Sequence, residues 1–279
     1  MNAMDKREFA ADVKAERSII KKFRDTIWSP FVGGVKEYEL IQAGDRIAVC
    51  ISGGKDSMLL AKCMELLCRH SEVPFSLVFL AMDPGYNREN RALLEKNAAL
   101  LKVELHLFES DIFEVAESAA GSPCYLCARM RRGFLYSKAK ELSCNKIALG
   151  HHLDDAIETV LMSMMYSSEI KTMPPKLRSA NFEGMELIRP LYKVKESDII
   201  AWANYNDLRF LRCACRFTEE SEQHEELSKR REIKGIIREI KKINPAVDGN
   251  IFRSLHNVDL NTLPGYRVSG QRHSFLEKY

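Results

Sequence analysis

A six-residue loop, Ser52-Gly53-Gly54-Lys55-Asp56-Ser57, constrains the fold more than any other segment. Residues 47–51 before it are all apolar, as in a buried strand, and residues 58–68 after it have the spacing of an amphipathic helix. A strand, a glycine turn and a helix in this order aim backbone N–H groups and a helix N-terminus at one point. The loop therefore predicts an anion site at the carboxyl end of a strand.

This loop differs from the common Walker A loop. A Walker A sequence has a glycine five residues before its second glycine and Ser or Thr after its lysine, whereas this chain has Val49 and Asp56 there. A purely structural strand-to-helix turn needs neither a lysine nor an aspartate in the first helical turn. Because both side chains suit phosphate and magnesium, we interpret the loop as a nucleotide site.

Composition indicates one soluble α/β domain with terminal additions. The chain has 279 residues, of which 46% are hydrophobic and 29% charged. No apolar run approaches the ~20 residues of a membrane helix, and residues 1–24 lack the apolar core of a signal peptide. We therefore expect a cytoplasmic protein that makes no membrane contact.

Charge distribution allows two interpretations of one segment. The net charge of +3 by itself indicates nothing about nucleic acid. Residues 225–243, however, combine seven Lys or Arg with four Glu on a predicted helix. This helix is either a solvated surface with i,i+4 ion pairs or a patch that faces tRNA.

Strand and helix patterns alternate along the chain, which predicts a doubly wound parallel sheet with right-handed crossovers. We predict an N-terminal helical extension over 1–43, a nucleotide-binding domain over 44–212, and a C-terminal basic helix and tail over 213–279. The N-terminal helix is expected over 5–28 and should be broken by Ser29-Pro30 and Gly33-Gly34, and a second short helix should lead to the turn at Gly44-Asp45. Strands are expected at 46–51, 76–82, 103–108, 146–150 and 186–188, helices at 56–69, 88–102, 129–142, 154–166 and 197–206, and a loop at 167–185.

A second polar motif follows the fourth predicted strand. It begins Gly150-His151-His152 and continues with Asp154 and Asp155 in the first turn of a helix. A helix dipole favours acidic residues in a first turn, which explains one aspartate but not two after a pair of histidines. Carboxylates that face a triphosphate would hold Mg²⁺. Ligands bind at the carboxyl ends of such strands, so Ser52, Asp83 and His151 should share one crevice.

The eight cysteines divide into two groups. Those at 50, 63, 68 and 144 lie in apolar patterns and are most simply core residues. Cys124 and Cys127 form a C-x-x-C pair, and Cys213 and Cys215 a C-x-C pair. The first pair could be a redox dithiol, half of a zinc site or part of an iron–sulfur site. Four thiolates would close a zinc site, whereas three would leave one iron of a [4Fe–4S] cluster open.

Taken together, these motifs resemble those of the tRNA 2-thiocytidine synthetase family within the PP-loop ATP pyrophosphatase superfamily. The resemblance extends from about Gly44 to about Leu263 and rests on residues 52–57, 124–133, 150–155, 173–177 and 188–191. It implies the adenine nucleotide alpha hydrolase-like fold, ATP, Mg²⁺ and a [4Fe–4S] cluster held by three cysteines. It also implies tRNA as the substrate and a sulfur donor such as a cysteine desulfurase. The oligomeric state stays open, with a homodimer as one arrangement.

The downstream cysteine pair departs from the family pattern. That pair is usually spaced C-x-x-C in the family, whereas this chain has C-x-C. Counting without gaps from Arg189-Pro190 places Cys213 on the family's first cysteine and Arg216 on its second. We therefore favour Cys213 over Cys215 as the third ligand beside Cys124 and Cys127.

The resemblance also implies a reaction. The C2 oxygen of a tRNA cytosine attacks the α-phosphate of ATP, pyrophosphate leaves, and sulfur then replaces the adenylate. Lys55, Asp56, Asp154 and Asp155 would act in catalysis, and Arg131 and Arg132 are candidates for phosphate contact. The expected nucleotide-binding residues are Ser52, Gly53, Gly54, Lys55, Asp56, Ser57, Asp83, Gly150 and His151.

Two other functions fit parts of the sequence. One is an ATP-dependent amidating or lysidine-forming enzyme of the same fold, which would not need the clustered cysteines, so iron and acid-labile sulfide analysis separates it. The other is a nucleotide-binding iron–sulfur sensor or scaffold without enzymatic activity. Pyrophosphate release that tRNA stimulates would argue against the sensor.

Overall fold

A six-stranded sheet forms the centre of the fold. The computed structural model describes residues 10–110, 123–211 and 225–279. The sheet order is β3-β2-β1-β4-β6-β5, in which five strands are parallel and β5 pairs antiparallel with β6 at one edge. The strands are β1 Arg46–Ile51, β2 Ser76–Asp83, β3 Leu105–Glu109, β4 Lys146–Ala148, β5 Lys176–Arg178 and β6 Glu186–Ile188.

Nine α-helices accompany these strands within the described ranges. A π-helical turn, Arg24–Trp28, joins the first two helices. A small antiparallel hairpin of β7 Gly265–Val268 and β8 Gln271–Ser274 follows the last helix. The helices are α1 Ala11–Ile20, α2 Ser29–Glu37, α3 Lys55–His70, α4 Arg88–Leu101, α5 Pro123–Glu141, α6 Leu153–Ser167, α7 Glu196–Tyr205, α8 Glu225–Ile243 and α9 Val247–Ser254.

Strand order reverses beside β1. The chain moves from β1 outward to β2 and β3, and then returns to place β4 on the other side of β1. A reversal of this kind opens a crevice at the carboxyl ends of the two central strands. Ser52 follows β1 and Leu149 follows β4. The predicted doubly wound parallel sheet is therefore confirmed, and its switch point lies at the predicted motifs.

Both faces of β1 are covered, which explains its unbroken apolar sequence. Ile47, Val49 and Ile51 pack with α1, α3, α4 and α7 in one core. Ala48 and Cys50 point to the other face and pack in a second core that includes Tyr136 of α5. The cysteines at 50, 63 and 144 are buried, as expected of core residues, whereas Cys68 is only half-buried.

A buried lysine connects strand β4 to the turn before β1. Lys146 is 2% exposed, and its Nζ lies 2.8 Å from a carboxylate oxygen of Asp45 and 3.3 Å from one of Glu186. Burial raises the pKa of Asp45, but hydrogen bonds from Gln42, Lys146 and Asn145 outweigh it and hold that pKa below its usual range. Removing one member of such a group leaves an uncompensated charge, so the group specifies how these segments meet.

Two predicted features were wrong. Helix α2 continues through Pro30 and the two glycines that we expected to interrupt it, because Pro30 occupies the first turn, where no N–H is needed. A Cβ on Gly34 would lie 3.5 Å from the Lys193 side chain, an ordinary contact, so packing does not require glycine there. The segment 167–185 contains the edge strand β5, which its loop-like sequence did not reveal.

The chain divides into two compact units. The first, Met1–Ala156 with Met173–Ser228, contains the six-stranded sheet. The second, Ile157–Thr172 with Lys229–Tyr279, contains most of α6 together with α8, α9 and the hairpin. No helix in the described part of the chain is long and apolar enough to cross a membrane.

An acidic side chain is buried inside the second unit. Glu158 is 2% exposed and lies 3.2 Å from Arg230 and 3.5 Å from Lys234 of the basic helix. The Tyr166 hydroxyl donates to Glu232 at 2.7 Å. Part of the charge on α8 therefore holds this unit together through contacts with α6, which neither interpretation of that helix predicted.

Candidate active site

The loop after β1 has a fixed backbone shape that requires glycine. Gly53 has φ +81°, and a Cβ at this position would lie 2.5 Å from Cδ1 of Leu211. The Leu211 N–H donates to the Gly53 carbonyl oxygen at 3.2 Å. Any larger residue would be strained and would also collide with Leu211. The glycine therefore lets a distant segment close over the loop.

Two serine hydroxyls fix the ends of this loop. Ser57 Oγ accepts from the Ser52 N–H at 3.2 Å and donates to the Gly54 carbonyl at 2.9 Å. Gly54 N–H in turn lies 3.4 Å from Ser52 Oγ. Helix α3 begins at the next residue, Lys55, so its first N–H groups face the turn. This geometry is that of an anion site at a helix N-terminus.

Lys55 lies between two carboxylates. Its Nζ is 3.1 Å from Asp56 Oδ1 and 3.1 Å from Glu196 Oε1. Burial lowers the pKa of Lys55, but these two carboxylates outweigh it, and the pKa lies above its ordinary value. The ammonium group is therefore charged at neutral pH.

The motif after β4 brings its carboxylates to the same place. His152 is 4% exposed, and its Nε2 lies 3.4 Å from Asp155 Oδ2 and 3.9 Å from Asp56 Oδ1. Asp155 also accepts from the His152 N–H at 3.0 Å. Asp154 Oδ2 accepts from the Glu196 N–H at 2.7 Å and so binds the first turn of α7. The two motifs, separated by about a hundred residues, form one acidic cluster beside the loop.

Gly150 allows the end of β4 to approach the first turn of α3 closely. A Cβ on Gly150 would lie 3.1 Å from the carbonyl carbon of Asp56 and 3.1 Å from the backbone nitrogen of Ser57. The end of β4 therefore packs directly against the first turn of α3. His151 follows it and is half-buried. Both residues lie at the sheet edge where the sequence placed them.

Comparison with known proteins identifies the family. Residues 31–234 match the PP-loop domain family. The chain is 37% identical over 227 residues to the tRNA-cytidine(32) 2-sulfurtransferase of Geobacter sulfurreducens, covering 80% of this chain and 86% of that protein. It is 34% identical over 238 residues to the one from Geotalea uraniireducens, covering 84% and 92%. The chain belongs to the tRNA 2-thiocytidine synthetase family of PP-loop proteins.

A solved structure shows the same fold. The U34-tRNA thiolase NcsA from Methanococcus maripaludis, determined with its [4Fe-4S] cluster, matches with a TM-score of 0.63 at 20% identity. The match covers 88% of this chain and 78% of that chain. The adenine nucleotide alpha hydrolase-like architecture expected of a PP-loop protein is therefore confirmed.

Asp83 lies at the carboxyl end of β2, beside residues 52–57, which form the PP-loop of this chain, but its oxygens already have partners. Oδ1 accepts from the N–H groups of Gly85 and Tyr86 at 2.9 and 2.6 Å, and Oδ2 lies 3.2 Å from Arg91. The Tyr86 hydroxyl reaches the Ser52 carbonyl at 3.4 Å. Asp83 thus shapes the turn that contacts the PP-loop, and a direct contact between Asp83 and nucleotide stays a prediction.

The proposed metal sites are described only in part. Asp56 Oδ1 is buried and accepts no hydrogen bond of normal geometry, although Lys55 lies 3.1 Å away, so this oxygen fits a cation. Mg²⁺ needs only one or two protein carboxylates when phosphate supplies other ligands. Within residues 10–110, 123–211 and 225–279, no described group of three or more His, Cys, Asp or Glu side chains could hold a metal ion.

The predicted cluster cysteines fall largely outside the described residues. Cys124 and Cys127 lie in the first turns of α5, where the helix is described but their side chains are not. Cys213 and Cys215 lie outside the described ranges. The choice of Cys213 over Cys215 therefore stays a prediction.

Sequence reasoning missed Glu196 as part of the site. This residue is 141 positions from Lys55 and stands in no recognisable motif. The only available signal was an acidic residue near the start of a predicted helix, which is common at helix N-termini for other reasons. Only the folded sheet brings it to the PP-loop.

Proposed function

We propose that this protein is an ATP-dependent sulfurtransferase that 2-thiolates a cytidine of tRNA and forms AMP and pyrophosphate. One observation carries the proposal. The PP-loop and the Gly150–Asp155 motif meet at one sheet edge in a chain that is 37% identical to a tRNA-cytidine(32) 2-sulfurtransferase. The identity of the modified tRNA and nucleotide in this chain is part of the proposal.

The PP-loop would bind the pyrophosphate part of ATP. Its backbone N–H groups and the N-terminus of α3 favour negative charge. The Lys55 ammonium group would exchange its contacts with Asp56 and Glu196 for contacts with the phosphates. Asp56, with Asp154 or Asp155, would hold Mg²⁺ against the same oxygens. The C2 oxygen of cytosine is a poor leaving group. Its attack on the α-phosphate makes it part of an adenylate, which leaves easily.

Sulfur transfer would depend on Cys124, Cys127 and Cys213. Because α5 joins the parallel strands β3 and β4, it runs antiparallel to them, and its N-terminus lies at the carboxyl edge of the sheet. Cys124 and Cys127 are three positions apart in the sequence, near the start of that helix. Three thiolates suit a [4Fe–4S] cluster, which would supply an open iron for sulfur. A cysteine desulfurase is the proposed sulfur donor, and the cytoplasm is the proposed location.

Charge in the second unit supports RNA as the substrate. Residues 229–279 contain eleven Lys or Arg and five Asp or Glu, whereas the net charge of the whole chain is only +3. Arg231 and Arg238 are exposed and lie two turns apart on one side of α8. Among the described side chains, no carboxylate lies within 4.0 Å of either arginine. Unpaired arginines of this kind are suited to RNA phosphates.

The decisive test is analysis of tRNA. Mass spectrometry of nucleosides from a strain without this protein should show loss of a 2-thiocytidine, and the intact gene should restore it. Purified protein with ATP and tRNA should form AMP and pyrophosphate. Formation of ADP and phosphate, or tRNA nucleosides that do not change, would refute the proposal.

The cluster has its own test with a matched control. Anaerobically reconstituted protein should bind about four irons per chain. Cys124→Ala, Cys127→Ala and Cys213→Ala should lose iron and thiolation together, whereas Cys215→Ala should retain both. Loss in Cys215→Ala with retention in Cys213→Ala would reverse the assignment of the third ligand. Zinc in place of iron would refute the iron–sulfur proposal.

A further inference from the structure

Arg189 is a buried cation that forms an ion pair with no described carboxylate. It directly follows β6 and is only 8% exposed. Among the described residues, no carboxylate oxygen lies within 4.0 Å of its guanidinium group. Its Nε is buried and makes no hydrogen bond, while Nη1 donates to the Pro174 carbonyl oxygen. A guanidinium buried in this way is costly unless another group completes its hydrogen bonds.

The position of Arg189 connects it to the site. β6 is parallel to β4 and β1, so Arg189, Gly150 and Ser52 follow their strands at the same edge of the sheet. The Leu149 N–H donates to the Ile188 carbonyl at 3.0 Å, which holds the two strand ends together. Neighbouring strands are about 4.8 Å apart, so β6 stands roughly 10 Å from β1. That span is within the reach of one bound nucleotide.

The side chain of Arg189 faces α5. Leu187, two residues earlier, packs with Tyr136 of α5 in the second core, and alternation along the strand continues to Arg189. The charged and phenolic groups that act on Arg189 are Tyr192, Tyr136, Arg132 and Asp155. Among the described residues, these groups include a second guanidinium, that of Arg132, and one carboxylate, that of Asp155. Burial lowers the pKa of Arg189 from its ordinary value.

A structural role explains part of this arrangement. Arg189 and Tyr192 together hold the segment before β5. The Arg189 N–H donates to the Pro175 carbonyl at 2.9 Å, and the Tyr192 hydroxyl donates to the Met173 carbonyl at 2.9 Å. These contacts leave the buried Nε of Arg189 unused. A guanidinium presents its N–H donors as a planar fork, which suits the oxygens of a phosphate.

We propose that Arg189 binds a phosphate oxygen of a nucleotide substrate at the carboxyl edge of β6. The proposal rests on the proposed function, since that function supplies the two nucleotide sources. One source is the α-phosphate of ATP, next to the pyrophosphate held by the PP-loop. The other is the phosphodiester beside the target base of tRNA.

Binding measurements on Arg189 variants test the proposal. The full-length protein is titrated with a non-hydrolysable ATP analogue without tRNA, and separately with tRNA without nucleotide. Arg189→Gln should weaken the affinity for one of these two ligands by about 10- to 100-fold, as expected for loss of a hydrogen bond to a charged group. Arg189→Lys should retain part of the affinity. If Arg189→Gln weakens tRNA binding, the slope of log affinity against log salt concentration should also fall by about 0.7–0.9.

Tyr192→Phe is the matched control, because it releases the Met173 carbonyl without removing a charge. This variant should keep both affinities within about 3-fold of wild type, well below the loss expected for a charged contact. If Tyr192→Phe loses as much affinity as Arg189→Gln, Arg189 acts only by ordering the segment, and the proposal is overturned. It is equally overturned if folded Arg189→Gln and Arg189→Lys keep both affinities. Wild-type protein that binds both ligands but forms no thiolated nucleoside would refute the proposed function and not this contact.

Discussion

Replacing Gly150 with alanine tests whether the end of β4 sets the shape of the PP-loop. The added Cβ would lie 3.1 Å from two backbone atoms, the Asp56 carbonyl carbon and the Ser57 nitrogen, and 3.3 Å from the Asp56 oxygen. Carbon contacts are optimal at about 3.5–4.0 Å, so the first turn of α3 must move by about half an ångström. These neighbours are backbone atoms and cannot rotate away.

The expected cost follows from this crowding. Forcing an extra methyl group into a close-packed region costs about 1–3 kcal/mol in the free energy of unfolding. In a domain of this size each kcal/mol lowers the melting temperature by roughly 2–4 °C. The movement also displaces the N–H groups that would face the phosphates, so ATP affinity should fall more than stability alone explains.

The assay combines thermal unfolding with titration of a non-hydrolysable ATP analogue. Gly33→Ala is the matched control, because Gly33 lies within α2 and an added Cβ there would meet no atom within 4 Å. That variant should gain up to about 1 kcal/mol from higher helix propensity and keep its ATP affinity. A Gly150→Ala protein with wild-type melting temperature and ATP affinity would refute the reasoning.

Three further predictions address charge. Asp45 has a folded pKa below its unfolded value, so the charged carboxylate stabilises the fold above about pH 4, and this stabilisation is lost as the pH falls through the folded pKa. Asp45→Asn should therefore lower the free energy of unfolding at pH 7. In denaturant titrations, the stability of this variant should also depend less on acid pH than that of the wild type. Asp56→Ala should abolish pyrophosphate release and leave iron content unchanged, and near-normal turnover would exclude its assigned role. The double variant Arg231→Gln, Arg238→Gln should weaken tRNA binding and lower the slope of log affinity against log salt concentration by about 0.7–0.9 per arginine. Arg178→Gln, which changes an exposed arginine on β5, should have neither effect. An equal effect of all three substitutions would indicate that only the general charge of the protein matters.

Local sequence explains most of the secondary structure. Helix α3 and strand β1 were predicted to within a residue or two, because helical spacing and an apolar run are properties of neighbouring residues. The failures also have physical reasons. Pro30 looked like a break but occupies the first turn of α2, where it is tolerated. β5 has only three residues and owes its extended form to pairing with β6.

The residues of the candidate site also divide into those that the sequence reveals and those that only the fold reveals. Residues 52–57 and 150–155 are recognisable from sequence, because their chemistry is concentrated in short motifs at strand ends. The ion pair between Lys55 and Glu196 is not, since 141 residues separate the partners. The same holds for Arg189, whose burial and unused Nε become visible only when β6 packs beside β4.

Sequence by itself therefore determined most of the helices and strands, the PP-loop and the family of this protein. Tertiary structure decided the strand order, and with it which distant side chains meet at the carboxyl edge of the sheet. The physical reason is the distance along the chain over which each kind of interaction acts. Helix propensity, glycine turns and apolar periodicity act over a few residues, whereas strand pairing and burial join segments whose separation along the chain carries no signal of their contact.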